Sequence, residues 1–153
     1  MLSLSKPIKC KGSNKSEGTM APVTVMIVDD SSVMRKIVER TLRQAGLEID
    51  EVLAMSNGLE ALNMLRSLGP ECTRPSLIIS DVTMPVMDGF AFVEQMRSEG
   101  LMQDVPVVMV TTEGTESQIR RALAAGASAY LRKPFTAEQL RASVVRLGLV
   151  AEG

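Results

Sequence analysis

The sequence predicts an α/β domain in which a five-stranded parallel sheet carries helices on both faces. Short apolar runs alternate five times with segments whose apolar residues recur at helical spacing. The first run, Val-Thr-Val-Met-Ile-Val at Val23–Val28, is apolar almost throughout, as expected for a strand buried on both faces. The connections between these segments are short, which is typical of β-α units.

The strands are predicted at the runs rich in β-branched residues, because such side chains pack well on a pleated sheet. The predicted strands are Val23–Val28, 51–54, 77–79, 106–110 and 128–132. Turn-forming residues follow the third strand at Pro85 and Asp88-Gly89, and Lys133-Pro134 breaks the chain after the fifth.

The segments that follow the predicted strands carry the signals of helix starts and ends. The candidate N-caps and opening residues are Ser31 or Ser32, Ser56 or Asn57, Gly114-Thr115 and Thr136. The candidate stop signals are Gly46, Gly69-Pro70, Gly100 and Gly126. The residues at helical spacing are Met34, Ile37, Val38, Thr41, Leu42 and Ala45; Leu59, Leu62, Leu65 and Leu68; Phe90, Val93 and Met96 or Arg97; Ile119, Ala122 and Leu123; and Leu140, Val144 and Leu147.

Length and composition narrow the classes of function. A chain of 153 residues is long enough for one domain with a core and too short for two. There is no His, which excludes His-based acid–base catalysis and His metal ligands. Cys10 and Cys72 match no metal-binding spacing and are predicted to be free thiols in a reducing compartment.

The chain ends and the charge distribution predict a tail and a mildly acidic body. Residues 1–21 are rich in Lys, Ser and Gly and are predicted to be a flexible basic tail before a domain at 22–150, with no output domain after it. Residues 1–20 hold four Lys and one Glu, so the rest has 13 basic and 17 acidic residues. Neither nucleic-acid binding nor membrane insertion is predicted, and a cytoplasmic location is expected.

Polar groups follow four of the five predicted strands. They are Asp29-Asp30, Asp81, Thr111-Thr112 and Lys133. Because the carboxyl ends of parallel strands share one edge, where ligands bind in open α/β sheets, these side chains are expected to meet there. Asp81 is interpreted as a nucleophile that accepts a phosphoryl group.

Three converging carboxylates repel one another unless a cation lies among them, and oxygen ligands suit Mg²⁺. Asp30 and Asp81 are predicted as direct ligands with the backbone carbonyl of Thr83, and Asp29 is expected to act through water. The alternative is a solvated acidic cap on a helix N-terminus. Lys133 offers a compact positive charge to a phosphate or carboxylate. The Thr111 hydroxyl can donate a hydrogen bond to a phosphoryl oxygen.

These residues and their surroundings resemble the response-regulator receiver family, and within it the chemotaxis (CheY-like) single-domain type. The matching motifs are Asp29-Asp30 after a strand, Asp81 followed by Met84-Pro85-x-Met87-Asp88-Gly89, Thr111 after Val107-Val108-Met109-Val110, Ala125-Gly126-Ala127-Ser128-Ala129-Tyr130, and Lys133-Pro134-Phe135. The stretch Asp30-Ser31-Ser32-Val33-Met34-Arg35-Lys36 favours the chemotaxis type. The resemblance extends from Val23 to about Leu147.

The resemblance implies a doubly wound flavodoxin-like (βα)5 fold with strand order 2-1-3-4-5. It implies Mg²⁺-dependent phosphorylation of Asp81 by a histidine kinase, with Asp29 and Asp30 as the metal-binding pair and Lys133 on the phosphoryl group. Thr111 and Tyr130 then form the switch that remodels the face of the fourth helix, fifth strand and fifth helix. The implied partners are the kinase, a target such as a flagellar motor switch component, and a phosphatase.

Two features depart from the family pattern, and the same residues are compatible with other functions to different degrees. Many chemotaxis members have Asn where this chain has Thr83, and the N-terminal tail is longer than usual. A phosphorelay intermediate or phosphate sink would use the same acceptor. A Mg²⁺-dependent aspartyl-phosphate phosphohydrolase would need a second acid at position 83, and a flavin site would need a hydroxyl-rich loop where Asp29-Asp30 would repel the phosphate. The chain is therefore predicted to be a switch rather than an enzyme.

Overall fold

A computed structural model describes residues 22–68 and 74–150 as an alternating series of five strands and five helices. The strands are β1 (Val23–Val28), β2 (Ile49–Met55), β3 (Leu77–Asp81), β4 (Val107–Thr111) and β5 (Ala129–Arg132). The helices are α1 (Ser32–Gln44), α2 (Gly58–Ser67), α3 (Gly89–Ser98), α4 (Glu116–Ala125) and α5 (Ala137–Arg146). The predicted basic tail, Cys10 and Cys72 lie outside the described residues.

The strands form one parallel sheet in the order β2-β1-β3-β4-β5, which confirms the predicted topology. Strand β1 pairs with β2 and β3, so that Val25 lies opposite Val52 on one side and Leu77 on the other. Because all pairs are parallel, every strand delivers its carboxyl end to the same edge.

Two hydrophobic cores cover the two faces of the sheet. Side chains alternate along β1, so Met26 and Val28 pack with α2, α3 and α4, whereas Val25 and Ile27 pack with α1 and α5. These four side chains are at most 1% exposed. Strand β1 is thus apolar on both faces, as its nearly continuous apolar sequence predicted.

Four of the five helices begin at residues predicted to cap them, and the fifth, α3, is capped by Asp88, which was predicted only as a turn residue. The capping side chains are Ser31, Asn57, Asp88, Thr115 and Thr136, and each accepts a hydrogen bond from a backbone N–H in the first turn of its helix. Gly126 ends α4 at φ 115°, a left-handed conformation that favours glycine.

Three residues predicted to lie on buried helix faces are exposed instead. Ile37, Leu59 and Leu123 are 43%, 38% and 51% exposed. Each helix touches the sheet through a narrow stripe, such as Ala122 and Ala125 on α4, and the three side chains lie just outside that stripe. Met96 rather than Arg97 is the buried residue of the last turn of α3.

Strand bounds shifted by one or two residues where the pattern was weak. Strand β2 extends beyond the predicted 51–54 in both directions because backbone pairing with β1 starts at Ile49 and continues to Met55. Within the described residues, no helix is long and apolar enough to cross a membrane.

Candidate functional site

Two buried carboxylates lie at the carboxyl ends of the central strands. Asp29 directly follows β1 and is 2% exposed, and Asp81 ends β3 and is 9% exposed. The Oδ1 atom of Asp29 accepts the Ser31 N–H at 2.9 Å, and Oδ1 of Asp81 accepts the Val82 N–H at 2.9 Å. The local backbone therefore fixes the orientation of both side chains.

A third carboxylate, that of Asp30, completes an acidic group. One ligand atom from each of Asp29, Asp30 and Asp81 lies within 4.8 Å of the other two. Asp30 is exposed, so the group is open to solvent on one side. The sheet edge has brought together residues that are far apart in sequence.

Lys133, which follows β5, lies between the two buried carboxylates. Its Nζ atom is 3.3 Å from Oδ2 of Asp29 and 3.3 Å from Oδ1 of Asp81, and its side chain is 14% exposed. The Lys133–Pro134 peptide bond is cis. Lys133 is thus placed to touch any group bonded to Asp81.

The electrostatics of the pocket favour a divalent cation. Burial raises the pKa of the Asp81 carboxyl, the charge of Lys133 acts in the opposite direction, and that of Asp29 adds to the rise. One ammonium cannot offset three carboxylates when all are ionised. Hard oxygen ligands with excess negative charge are the donor set that Mg²⁺ prefers, so the residues fit this ion.

The loop after Asp81 closes on itself and packs against the acceptor backbone. The Gly89 N–H donates to the Val82 carbonyl at 2.8 Å. A Cβ at Gly89 would lie 2.2 Å from the Asp81 carbonyl oxygen, so only glycine fits there. At the loop apex Val86 has φ 71° and is 75% exposed. Thr83 is exposed in the same loop, two residues after Asp81.

The two predicted switch residues meet at a third residue, Glu113. Thr111 is 3% exposed, and its Oγ1 atom accepts the Glu113 N–H at 3.2 Å. The Tyr130 hydroxyl donates to the Glu113 carbonyl. Burial raises the pKa of Tyr130, while a hydrogen bond with Thr111 acts in the opposite direction. Thr111 and Tyr130 are therefore connected through Glu113, in the loop between β4 and α4.

Sequence reasoning did not identify Glu113 or Arg35 as site residues. Arg35 in α1 donates from Nη1 to the Asp29 carbonyl at 2.5 Å and so holds the turn that carries the acidic pair. The position of Glu113, two residues after Thr111, was the available signal. Glu113 contacts Thr111 and Tyr130 through its backbone N–H and carbonyl, and backbone groups carry no sequence signature.

Comparisons with known proteins agree with this geometry. A family model described as the response regulator receiver domain matches residues 25–145. A chemotaxis protein CheY homolog from Campylobacter jejuni is 38% identical over 117 residues, which cover 76% of this chain and 85% of the relative.

Two solved structures are similar in both fold and sequence. The Vibrio cholerae chemotaxis protein CheY4 superposes with a TM-score of 0.69 at 38% identity, covering 83% of this chain and 99% of that one. A chain in the CheX-CheY-BeF3-Mg²⁺ complex from Borrelia burgdorferi superposes with a TM-score of 0.70 at 25% identity, covering 83% and 90%.

Proposed function

The chain belongs to the response regulator receiver family, and from this premise we propose that a phosphoryl group transferred to Asp81 switches its activity. It is a CheY-type receiver in two-component signalling. One observation carries the proposal: the Lys133 ammonium contacts the Asp81 carboxylate inside a pocket with two further carboxylates.

The proposed reaction is a transfer between two nucleophiles. An Asp81 carboxylate oxygen forms a bond to phosphorus while the bond from phosphorus to the histidine nitrogen of a kinase breaks. The Val82 N–H holds one carboxylate oxygen, which orients the side chain. Lys133 moves no proton and balances the charge that the phosphoryl group adds.

The acidic group is the proposed magnesium site. Asp29, Asp30 and Asp81 would hold the ion together with the backbone carbonyl of Thr83. Bound Mg²⁺ would neutralise charge on the phosphoryl oxygens during transfer. The Ser31 N–H and Lys133 orient the Asp29 carboxylate.

We propose that Thr111 and Tyr130 transmit the event to a binding face formed by α4, β5 and α5. Names of the related chains point to chemotaxis, so the proposed phosphodonor is a histidine kinase and the proposed target is a component such as the flagellar motor switch. A phosphatase is the proposed means of ending the signal. The Borrelia complex shows a related chain bound to a second protein, CheX. The proposed location is the cytoplasm.

The direct test is the intact mass of the protein after incubation with acetyl phosphate. We expect one labile phosphoryl adduct that forms with Mg²⁺ and not with excess chelator. Asp81→Asn should lose the adduct, whereas Asp50→Asn, an exposed carboxylate of β2, should keep it. An adduct of wild-type yield in Asp81→Asn would refute the acceptor assignment.

A second measurement separates a switch from a phosphohydrolase. We propose that the protein catalyses only its own phosphorylation and dephosphorylation. It should then release no more than background phosphate from a phosphomonoester over many hours. Repeated turnover of that substrate would contradict the proposed switch.

A further inference from the structure

Two helices open with the same Thr-x-x-Gln motif, and only one of them completes the capping box. In α5 the Gln139 N–H donates to Thr136 Oγ1 at 3.0 Å, and the Thr136 N–H donates to Gln139 Oε1 at 2.9 Å. In α4 only the first bond forms, from the Gln118 N–H to Thr115 Oγ1 at 3.3 Å. The same Thr-x-x-Gln motif has therefore taken two arrangements.

The Gln118 side chain is engaged elsewhere. Its Nε2 atom donates to Oε1 of Glu113 at 3.2 Å. Its own Oε1 atom is buried and has no hydrogen-bond partner among the described residues. A flipped amide would place two acceptor oxygens against each other, so the contact with Glu113 fixes this orientation. A buried acceptor without a partner destabilises this arrangement.

Glu113 is the residue that Thr111 and Tyr130 both contact. Its N–H is bonded to Thr111 Oγ1, and its carbonyl accepts the Tyr130 hydroxyl. A displacement of Thr111 toward a phosphoryl group on Asp81 therefore acts on Glu113 through the backbone. The Glu113 carboxylate extends the same connection to Gln118, at the first turn of α4.

Helix α4 has few buried residues at its N-terminal end. Of its ten residues only Ala122 and Ala125 are buried, and both belong to the C-terminal half. Its first turn is exposed from Glu116 to Ser117. The capping interactions therefore contribute a large share of what fixes the N-terminal turn.

We propose that Gln118 is a positioning residue that couples phosphorylation to the first turn of α4 by exchanging its partner. The inference rests on the proposed function. When Thr111 turns to the phosphoryl group, Glu113 moves with it and releases the Gln118 amide. Gln118 Oε1 then accepts the Thr115 N–H, which completes the capping box and orders the start of α4.

The test measures hydrogen exchange of the Thr115 backbone amide in the full chain by NMR. Beryllofluoride with Mg²⁺ serves as the phosphoryl analogue, and shifts of the Asp81 and Val82 amides report whether the adduct forms. In the wild type we expect exchange at Thr115 to slow by about fivefold on adduct formation, the protection that one capping bond provides.

Substitutions at Gln118 separate the two arrangements. Gln118→Glu keeps the acceptor for Thr115, loses the donor to Glu113 and adds repulsion, so its Thr115 amide should exchange slowly even without beryllofluoride. The Met side chain of Gln118→Met can neither donate to Glu113 nor accept the Thr115 N–H, so exchange of the Thr115 amide should not slow when the adduct is present. The matched control, Gln139→Met, opens the α5 box and should leave the Thr115 response as in the wild type.

Three results would overturn the inference. One is a wild-type adduct without slowing at Thr115, and another is slowing retained in Gln118→Met; both leave the proposed function standing. The third, absence of any shift at Asp81 and Val82, would refute the proposed function and this inference with it.

Discussion

Replacing Gly89 with Ala should distort the loop that holds the acceptor. The added Cβ would lie 2.2 Å from the Asp81 carbonyl oxygen and 2.7 Å from Cε of Met109, whereas ordinary contact begins at 3.4 Å. The backbone oxygen must therefore move by roughly 1.2 Å, since it cannot rotate away as the methionine can. Overpacking of this kind costs about 3 kcal/mol when the structure yields poorly.

The same substitution also stabilises the protein in two ways, which offset part of this loss of folding free energy. It reduces the freedom of the unfolded chain and favours helix by about 1 kcal/mol. We expect a net loss of about 2 kcal/mol in the free energy of unfolding, which corresponds to a drop in Tm of about 6–8 °C for a domain of this size. Because Asp81 moves with its carbonyl, the yield of phosphoryl adduct should fall as well.

The assay is urea unfolding followed by circular dichroism, with Gly114→Ala as the control. A Cβ at Gly114 would come within 2.9 Å of Arg132 Cδ, which belongs to an exposed and flexible side chain. That variant should stay within about 0.5 kcal/mol of the wild type. Equal stability of the two variants would refute the reasoning that the Asp81 backbone allows no side chain at position 89.

Three further changes test other parts of the structure. Val86→Gly should raise the free energy of unfolding by about 1 kcal/mol, because it removes the backbone strain of a β-branched residue at φ 71°. The control, Val86→Ala, keeps the Cβ and should raise the free energy of unfolding by less than half of that, as measured by urea unfolding. Arg97→Met should lower the free energy of unfolding by about 2–3 kcal/mol, because Arg97 donates four hydrogen bonds to the carbonyls of Met102, Val105 and Gly126. The control is Arg66→Met, which removes an exposed ion pair with Glu99 and should lower the free energy of unfolding by clearly less in the same assay. The raised pKa of Asp81 means that folding favours its protonated form, a stabilisation present below the unfolded pKa and lost as pH rises through the folded pKa. Without Mg²⁺ the Tm of the wild type should therefore fall relative to that of Asp81→Asn as the pH rises above about 4, the ordinary pKa of an aspartate. A constant difference in Tm across calorimetric scans at rising pH would contradict this.

The sheet and the charged pocket were predictable because they depend on local patterns and one topological rule. Apolar strands such as Val23–Val28 specify burial on both faces, and parallel pairing then brings Asp29, Asp81 and Lys133 to one edge. The exposed fractions of Ile37 and Leu123 were not predictable in this way. Helical spacing shows which residues share a face, but the width of the buried stripe depends on how closely the helix approaches the sheet.

The missed parts of the site depend on backbone contacts. Glu113 joins Thr111 to Tyr130 through its N–H and carbonyl, which every residue except proline offers. The two Thr-x-x-Gln motifs share their capping residues, but in the structure the Gln118 side chain bonds to the Glu113 carboxylate, whereas the Gln139 side chain bonds to the Thr136 N–H. Such partners become visible only when the loops are placed in three dimensions.

The phosphoryl acceptor Asp81 and the proposed binding face lie in parts of the molecule that are restrained to different extents. Around Asp81, two glycines allow close backbone packing: Gly89 against the Asp81 carbonyl, and Gly58, whose N–H donates to the Met87 carbonyl at 3.0 Å. The acceptor loop is therefore tied to α2 and α3 on both sides and has little freedom to move.

Helix α4 is fastened differently along its length. Toward its C-terminal half, Arg97 from α3 bonds the Gly126 carbonyl, and the guanidinium of Arg121 stacks 4.3 Å above the Phe90 ring. Its N-terminal turn depends on the Glu113 loop and an incomplete capping box. A charge added at a rigid acceptor must be accommodated where the structure changes at the lowest free-energy cost. We infer that this place is the first turn of α4. Rigidity at Asp81 and weak fastening at Gln118 are thus two requirements of one switch, because an acceptor loop that moved freely would absorb the event before it reached the binding face.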